Sequence, residues 1–323
     1  MMAQEKFAGP ENENVVLNAG DCAVTVMPHL GGKIASIRFG DTELLQAPLL
    51  PYAPRTRTMA FDEADASGWD ECLPSVAACR VPLADGSSAQ IPDHGDLWRV
   101  EWQPMSKSAD SISYRGECFS LPLRLERAAT LNRTPEGWML CLDYSVTNLA
   151  MEPTPWSWAA HPLFAVESGD RIGLPESIKS LRLEGSGGNR LGKSGDTVFW
   201  PIARLAAGGE ADLSLAQSID SGTGDKLFAG PLGVDENWAV LERSSAGLRI
   251  KISFDSAATP YLGLWLCYGG WPERAGSKQM CVALEPATAP VDSLAVEGPW
   301  SRLLASRDCF SWGMSVSIEP LKI

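Results

Sequence analysis

Short apolar runs broken by Gly, Pro, Asn and Asp recur along this chain at intervals too short to hold helices. From Leu97 to Val166 the pattern is densest: Trp98–Gln103, Ser111–Phe119, Leu123–Asn132, Trp138–Asn148 and Thr154–Val166 read as strands, punctuated by Pro122, Pro135-Glu136-Gly137 and Asn148. A βαβ arrangement would need helical stretches of about ten residues or more between strands, and none is present. An antiparallel sandwich is therefore expected. The same punctuation surrounds Val15–Asn18, Cys22–Pro28, Lys33–Phe39 and Glu43–Leu45 near the start. Leu181–Phe199 holds a glycine-rich loop, Gly185-Ser186-Gly187-Gly188-Asn189, too loose to match a P-loop or dinucleotide fingerprint, and the β pattern returns in Val234–Arg243, Leu248–Phe254, Tyr261–Tyr268, Gln279–Glu285 and Ser311–Glu319. Two segments do not fit. Residues 47–95 show no sustained period and read as a long irregular excursion, which in a compact domain is usually functional. Residues 205–230 read as a short helix or a further loop. No linker, repeat or low-complexity tract divides the chain, so one all-β domain over 1–323 is expected, with little helix and residues 1–12 frayed.

The formal charge of −13 argues against nucleic acid and anionic membrane surfaces as partners. Eight scattered cysteines contain no CxxC pair, which suits reduced thiols rather than a disulfide framework or a zinc site. The first residues, MMAQEKFAGPENENVV, lack a basic segment followed by an apolar core, and no apolar run reaches bilayer length. A cytoplasmic location is expected, with no metal and no cofactor.

Only three histidines are available as groups titrating near neutrality: His29, His94 and His161. His29, beside Pro28 and Gly31-Gly32, reads as a turn residue. His94 lies in IPDHGDLW, where Pro92 and Gly95 preclude regular structure; it is either a ligand-facing ring at the mouth of a sheet or a turn histidine capping the backbone. His161 lies in Trp156-Ser157-Trp158-Ala159-Ala160-His161-Pro162-Leu163-Phe164. On a strand it faces away from Trp156 and Trp158, and Pro162 places it at a strand end or a sheet edge. It is either a ligand contact or a half-buried histidine bonded to a carbonyl. Glu285 closes the apolar run Cys281-Val282-Ala283-Leu284 just before Pro286, and a carboxylate ending a buried strand is costly unless paired or functional. Asp70 and Glu71 are neighbours in an extended segment, so at most one faces any site. Of the twelve tryptophans most are assigned to the core, with Trp69, Trp98 and Trp271, on or beside loops, as cleft candidates.

Taken together, IPDHGDLW, AAHPLF and VALEPAT resemble, in that order, the motifs of the aldose 1-epimerase (galactose mutarotase-like) superfamily. Gly31-Gly32-Lys33-Ile34, Gly169-Asp170-Arg171-Ile172-Gly173-Leu174-Pro175 and Gly224-Asp225-Lys226-Leu227-Phe228 also look like family features. The resemblance runs from about residue 15 to 320. It implies a large antiparallel β-supersandwich with a sugar cleft across one sheet and anomer interconversion without metal or cofactor. By the resemblance, His161 is the general acid at the ring oxygen and Glu285 the base at the anomeric hydroxyl. His94 and Asp225 then bind the ring oxygen or hydroxyls, with Asp70 or Glu71 as a further sugar ligand. Sugar-phosphate-specific relatives carry an arginine upstream of the HG turn, where this chain has Gly68-Trp69-Asp70-Glu71; a neutral sugar is therefore expected, with Arg55 and Arg57 keeping the phosphate alternative open. The competing readings are a sugar-binding module on the same sandwich and a lyase or hydrolase using a carboxylate pair drawn from Asp70, Glu71 and Glu285.

Overall fold

The computed structural model describes residues 14–83, 86–273 and 276–321; the expectation of a frayed 1–12 lies outside them. Two antiparallel sheets carry the fold. The larger has eleven strands. From one edge they run Val15–Ala19, Cys22–Met27, Lys33–Phe39, Trp69–Cys72, Ala159–Ala165, Met280–Ala287, Tyr261–Tyr268, Thr223–Ala229, Ser180–Ser186 and Thr197–Phe199, with Thr42–Glu43 beside Lys33–Phe39. The second has eight, in the order Arg171–Gly173, Trp238–Arg243, Leu248–Phe254, Cys309–Pro320, Trp138–Asn148, Leu123–Arg133, Ser111–Glu117 and Gln103–Lys107. Helix among the described residues is confined to six three-residue 3-10 turns. No helix among them is long and apolar enough to cross a membrane. All eight cysteines are free.

The two sheets differ in how they meet water. In the eight-stranded sheet, strands such as Leu123–Arg133 and Trp138–Asn148 alternate between buried and partly exposed residues, because one face packs on the core and the other is solvated. In the middle of the eleven-stranded sheet the alternation vanishes: Trp69–Cys72, Ala159–Ala165, Thr223–Ala229 and Met280–Ala287 are buried almost throughout. One face of these strands and of Tyr261–Tyr268 between them supplies Phe164, Leu227, Leu262, Leu264, Leu266, Val282 and Leu284 to the core between the sheets. The other face is roofed by loops, and the polar residues of interest lie beneath that roof.

Several strand expectations change accordingly. Trp69–Cys72 is a central strand inside the supposed excursion, and Cys79–Pro82 pairs with Ser88–Ile91 as a hairpin within it. Thr223–Ala229 is a central strand where a helix or loop was expected. Thr154–Val166 splits: Thr154–Trp156 leaves to pair with Arg302–Leu304, and Ala159–Ala165 enters the large sheet. Leu97–Arg99 is a 3-10 turn, and the strand expected from Trp98 starts at Gln103. The turn is held because Trp98 and Trp102 are both buried there, with Trp102 Nε1 donating to the Leu97 carbonyl at 3.1 Å.

One polar tie crosses the core. Glu71 points between the sheets and accepts from Arg127 Nη1 and the Tyr144 hydroxyl, each at 2.9 Å, and from Trp158 Nε1 at 3.0 Å. Burial raises the carboxyl's proton affinity, and Arg127 with these hydrogen bonds opposes that shift. Arg127 also donates to the Gly32 carbonyl, joining the sheets at a second point. Arg127→Met therefore leaves a fully buried carboxylate without its cation, and denaturant titration is expected to show a loss of about 3–5 kcal/mol. Adding Glu71→Gln is expected to recover part of it, since the amide oxygen still accepts from Tyr144 and Trp158 and no charge stays buried.

Candidate functional site

His161 sits in the interior of the eleven-stranded sheet, not at an edge as Pro162 suggested. Its strand is flanked by Trp69–Cys72, where His161 stands opposite Asp70, and by Met280–Ala287. Along the second neighbour the paired positions jump from Ala159 opposite Ala287 to Leu163 opposite Ala283. Counting inward from both ends places His161 opposite Glu285. Pro162 and Pro286 both fall in this interval, and neither has an N–H to give a ladder. The sheet stays continuous but is unlaced at the point where the two side chains rise from the same face. His161 Nε2 and Glu285 Oε1 are 3.9 Å apart.

Both groups are buried: Glu285 is 0% and His161 6% exposed. Burial drives the imidazole's proton affinity well below the usual histidine range, reinforced by the positive charge of His94, Lys226 and Lys33. Burial also raises the Glu285 carboxyl, against the pull of Lys226. Lys226 rises from Thr223–Ala229 two strands away, and its ammonium pairs with Glu285 Oε2 and lies 3.7 Å from Asp292 Oδ1. Burial works against the charge on Lys226, but Asp292 and Glu285 outweigh it and hold the ammonium firmly protonated. Among the described residues, Glu285 Oε1 and His161 Nδ1 find no hydrogen-bond partner.

Above these residues lies a cavity of about 180 Å3, floored by His161 and Lys226 and walled by Phe61, Trp265, Trp271 and Gln279, with Asp93, His94 and Asp292 at its margin. Gln279 is fixed between Trp265 Nε1 and the Ala66 carbonyl. His94 has a left-handed backbone, φ +58°, followed by Gly95 at φ +68°. A Cβ on Gly95 would overlap the Leu73 backbone, so the turn after His94 demands glycine. The loop is locked by Arg99, which donates to the carbonyls of Met59, Asp93 and Gly95, and by the His94 amide bonded to the Val76 carbonyl. The His94 ring stacks on Phe61, 3.8 Å between centroids and 7° between planes, and meets His161 edge-on at 5.1 Å. Its Nδ1 lies 2.8 Å from Asp93 Oδ2, so Nε2 is its remaining polar atom. Burial raises the Asp93 carboxyl, but the His94 hydrogen bond and the charges of His94 and Arg99 prevail and keep it below the usual range.

Of the residues singled out from the sequence, His94, His161 and Trp271 line the cavity, and Glu285 lies beneath its floor against His161 and Lys226. The others do neither. Asp70 shares the outer face but is tied to Lys33 at 2.6 Å within a buried cluster completed by Asp65 and Arg55. Glu71 and Trp69, being one residue off in a strand, point into the core. Asp225 likewise turns inward and is held by Ser186 and Arg190. Trp98 is wholly buried behind Phe61, with Arg55 and Arg99 against its ring. Arg55 is spent on Asp65, and Arg57 stacks on Phe119, so neither lines the cavity. His29 lies in the Pro28–Leu30 turn, outside the cavity lining. Sequence reading missed Phe61, Lys226, Gln279 and Asp292. For Lys226 alone a signal existed: if Leu227 packs inward, Lys226 must face outward and Asp225 inward.

No protein-family model matches the chain, and no curated protein does. Solved structures do. A protein of Synechocystis sp. PCC 6803 superposes with a TM-score of 0.70 at 16% identity, covering 99% of this chain and 100% of its own. A candidate aldose 1-epimerase from Escherichia coli K12 gives 0.68 at 21% identity, over 96% and 99%. A galactose mutarotase-like protein from Lactobacillus casei ATCC 334 gives 0.66 at 17%, over 95% and 100%. With near-complete coverage in both directions and the same large antiparallel sheets, this chain has the galactose mutarotase-like fold.

Proposed function

We propose that the cleft binds a free monosaccharide and interconverts its anomers by ring opening and reclosure, the reaction of an aldose 1-epimerase-like isomerase. The observation that carries this reading is the opposition of His161 and Glu285 at 3.9 Å on an unlaced stretch of sheet. An oxygen about 2.8 Å from both atoms fits between them, within ordinary hydrogen-bond length. The ring oxygen and the anomeric hydroxyl oxygen are both bonded to C1, so a sugar seated there can place one against the imidazole and the other against the carboxyl. His161 protonates the ring oxygen and Glu285 takes the anomeric proton; the C1–O5 bond opens to the aldehyde, C1–C2 rotates, and reclosure reverses the transfers. His94, Asp93, Asp292 and Gln279 are the hydroxyl-binding groups, and Trp271, Trp265 and Phe61 offer apolar surface to the C–H faces.

The charge of the cleft favours a neutral sugar. Among the described residues Lys226 is the cation that lines it, already opposed by Glu285 and Asp292, and Arg55 and Arg57 are engaged elsewhere. An anionic sugar would enter against Asp93 and Asp292, with no guanidinium among the described lining residues to meet it. Hydrolysis by a carboxylate pair is less well supported, because Glu71 lies in the core and Asp70 is bound to Lys33. The burial of Glu285 beneath His161 and Lys226 favours a second reading, a sugar-binding module that turns nothing over. The eight free thiols suit the cytoplasm.

Anomer exchange separates the two readings. Saturation-transfer NMR with D-glucose and D-galactose is expected to show exchange above the buffer rate for the wild type. Glu285→Gln and His161→Asn should each retain binding and lose about 10²–10⁴-fold in rate. Binding with equal exchange rates in wild type and Glu285→Gln would leave only the binding-module reading.

The pH dependence follows from the directions of the two shifts. Burial moves the histidine down and the carboxyl up, so their proton affinities approach each other and one proton is shared across the pair. The rate should be bell-shaped, falling in acid as the pair gains a second proton and in alkali as it loses its last. Either single substitution removes one titrating partner, so the residual activity of each variant should keep one limb only.

A further inference from the structure

We infer that Lys226 is a positioning residue for Glu285, and that Gly263 makes the gap across which it acts. The inference rests on Glu285 being the base of the proposed reaction.

Glu285 stands opposite Gly263 on the neighbouring strand, and Gly263 stands opposite Phe228 on the next. Lys226 lies two residues from Phe228 on the same face, so Glu285 must cross the intervening strand to reach it. It crosses at Gly263. A Cβ built there would lie 2.9 Å from Glu285 Oε2 and 3.1 Å from Phe228 Cε1. A side chain at 263 would occupy the path of the carboxylate, and φ is not what requires glycine here. The carboxylate lies over the missing side chain and gives Oε2 to the ammonium.

The pairing divides the work of the two oxygens. Oε2 is anchored, while Oε1 is buried without a partner and faces His161. In the same sheet Glu71, as deeply buried, has both oxygens satisfied by three donors. Asp70 also leaves one buried oxygen without a partner, so what distinguishes Glu285 is where its unpartnered oxygen points: Oε1 faces His161, a side chain that lines the cavity. The ammonium also offsets the cost of keeping a carboxylate charged in a site with no water contact. The groups facing Glu285 from the surrounding elements are Lys226, Asp292, His161, His94 and Cys72, with Cys281 on its own strand. Lys226 is the one permanent cation among them.

The test reads the carboxyl directly and needs no substrate. With 13C-carboxyl glutamate incorporated, the Glu285 resonance is identified by its loss in Glu285→Gln and followed against pH. Lys226→Met is expected to raise its proton affinity by about tenfold or more, since a neighbouring opposite charge typically moves a carboxyl by one to three units. Lys226→Arg should restore the midpoint to near the wild-type value. Gly263→Ala keeps both charges and only pushes the carboxylate off the ammonium, so it should also raise the midpoint. Should Lys226→Met not fold, the contrast of Gly263→Ala with Lys226→Arg decides alone. An unchanged midpoint in the variants that fold overturns the role of Lys226. Anomer exchange with D-glucose and D-galactose, measured on the same proteins, keeps the two claims apart: absent exchange in the wild type sinks the isomerase reading, and an unmoved Glu285 titration sinks this one. Where exchange is present, its acid limb should move upward in Lys226→Met and return in Lys226→Arg. A merely structural lysine would lower stability and leave that limb in place.

Discussion

A charge inside a β-sheet must find its partner within the sheet or within the loops that roof it, and that requirement organises the outer face of the larger sheet. Lys33, Asp65, Asp70 and Arg55 form one buried set. Glu71 and Arg127 form another on the inner face. Glu285 and Lys226 form a third, joined at its margin by Asp292. Buried pairs of this kind are weak evidence for stability, because desolvation offsets most of their attraction. Their placement is more informative than their number. The first two sets tie strands and sheets together, whereas the third lies under a cavity and turns its unpartnered carboxylate oxygen toward His161.

The sheet supplies rigidity to this third set, and the two prolines supply room. Had Ala159–Ala165 and Met280–Ala287 been fully laced, the His161 and Glu285 strands would be drawn to regular spacing along their whole length. Pro162 and Pro286 remove donors on both strands at the same point. The flanking pairs, Ala159 with Ala287 and Leu163 with Ala283, keep register on either side. A local opening framed by intact ladder fixes two side chains more firmly than loops would. The walls are different: Phe61, His94 and Asp292 all come from turns or loops.

This division also explains what could be read from the sequence. The eight-stranded sheet was legible because one face is solvated and burial alternates along each strand. In the middle of the other sheet both faces are buried and the period is lost, so the apolar runs Tyr261–Tyr268, Gln279–Glu285 and the later part of Thr154–Val166 were legible as strands while the charged ones were not. Trp69-Asp70-Glu71-Cys72 and Thr223–Ala229 look unlike strands for that reason, with charges where apolar residues were sought. His94, His161 and Glu285 were legible because each stands beside a proline or glycine that disrupts regular structure. Asp225 was implied by the resemblance alone; with Leu227 packed inward, the strand's alternation turns Asp225 inward as well and leaves Lys226 facing the cavity. Phe61, Gln279 and Asp292 carried no local signal; they reach the cavity only through the paths of long loops, which no periodicity reports.

The size of the cavity bears on what the walls select. At about 180 Å3 it is close to the volume of an apolar cavity that admits a single six-membered ring, about 150 Å3. A free pyranose fits that space, and a second sugar unit would have to extend beyond it. Under the proposed reading the ring must also open and rotate about C1–C2 before closing. Contacts near C1 therefore have to be few and firm, which is what His161 and Glu285 provide from the sheet. Contacts to the remaining hydroxyls fall to the loop-borne groups, His94, Asp93 and Asp292. A change of sugar would then be met by altering loops, while the acid–base pair stays under the same constraint of buried charge.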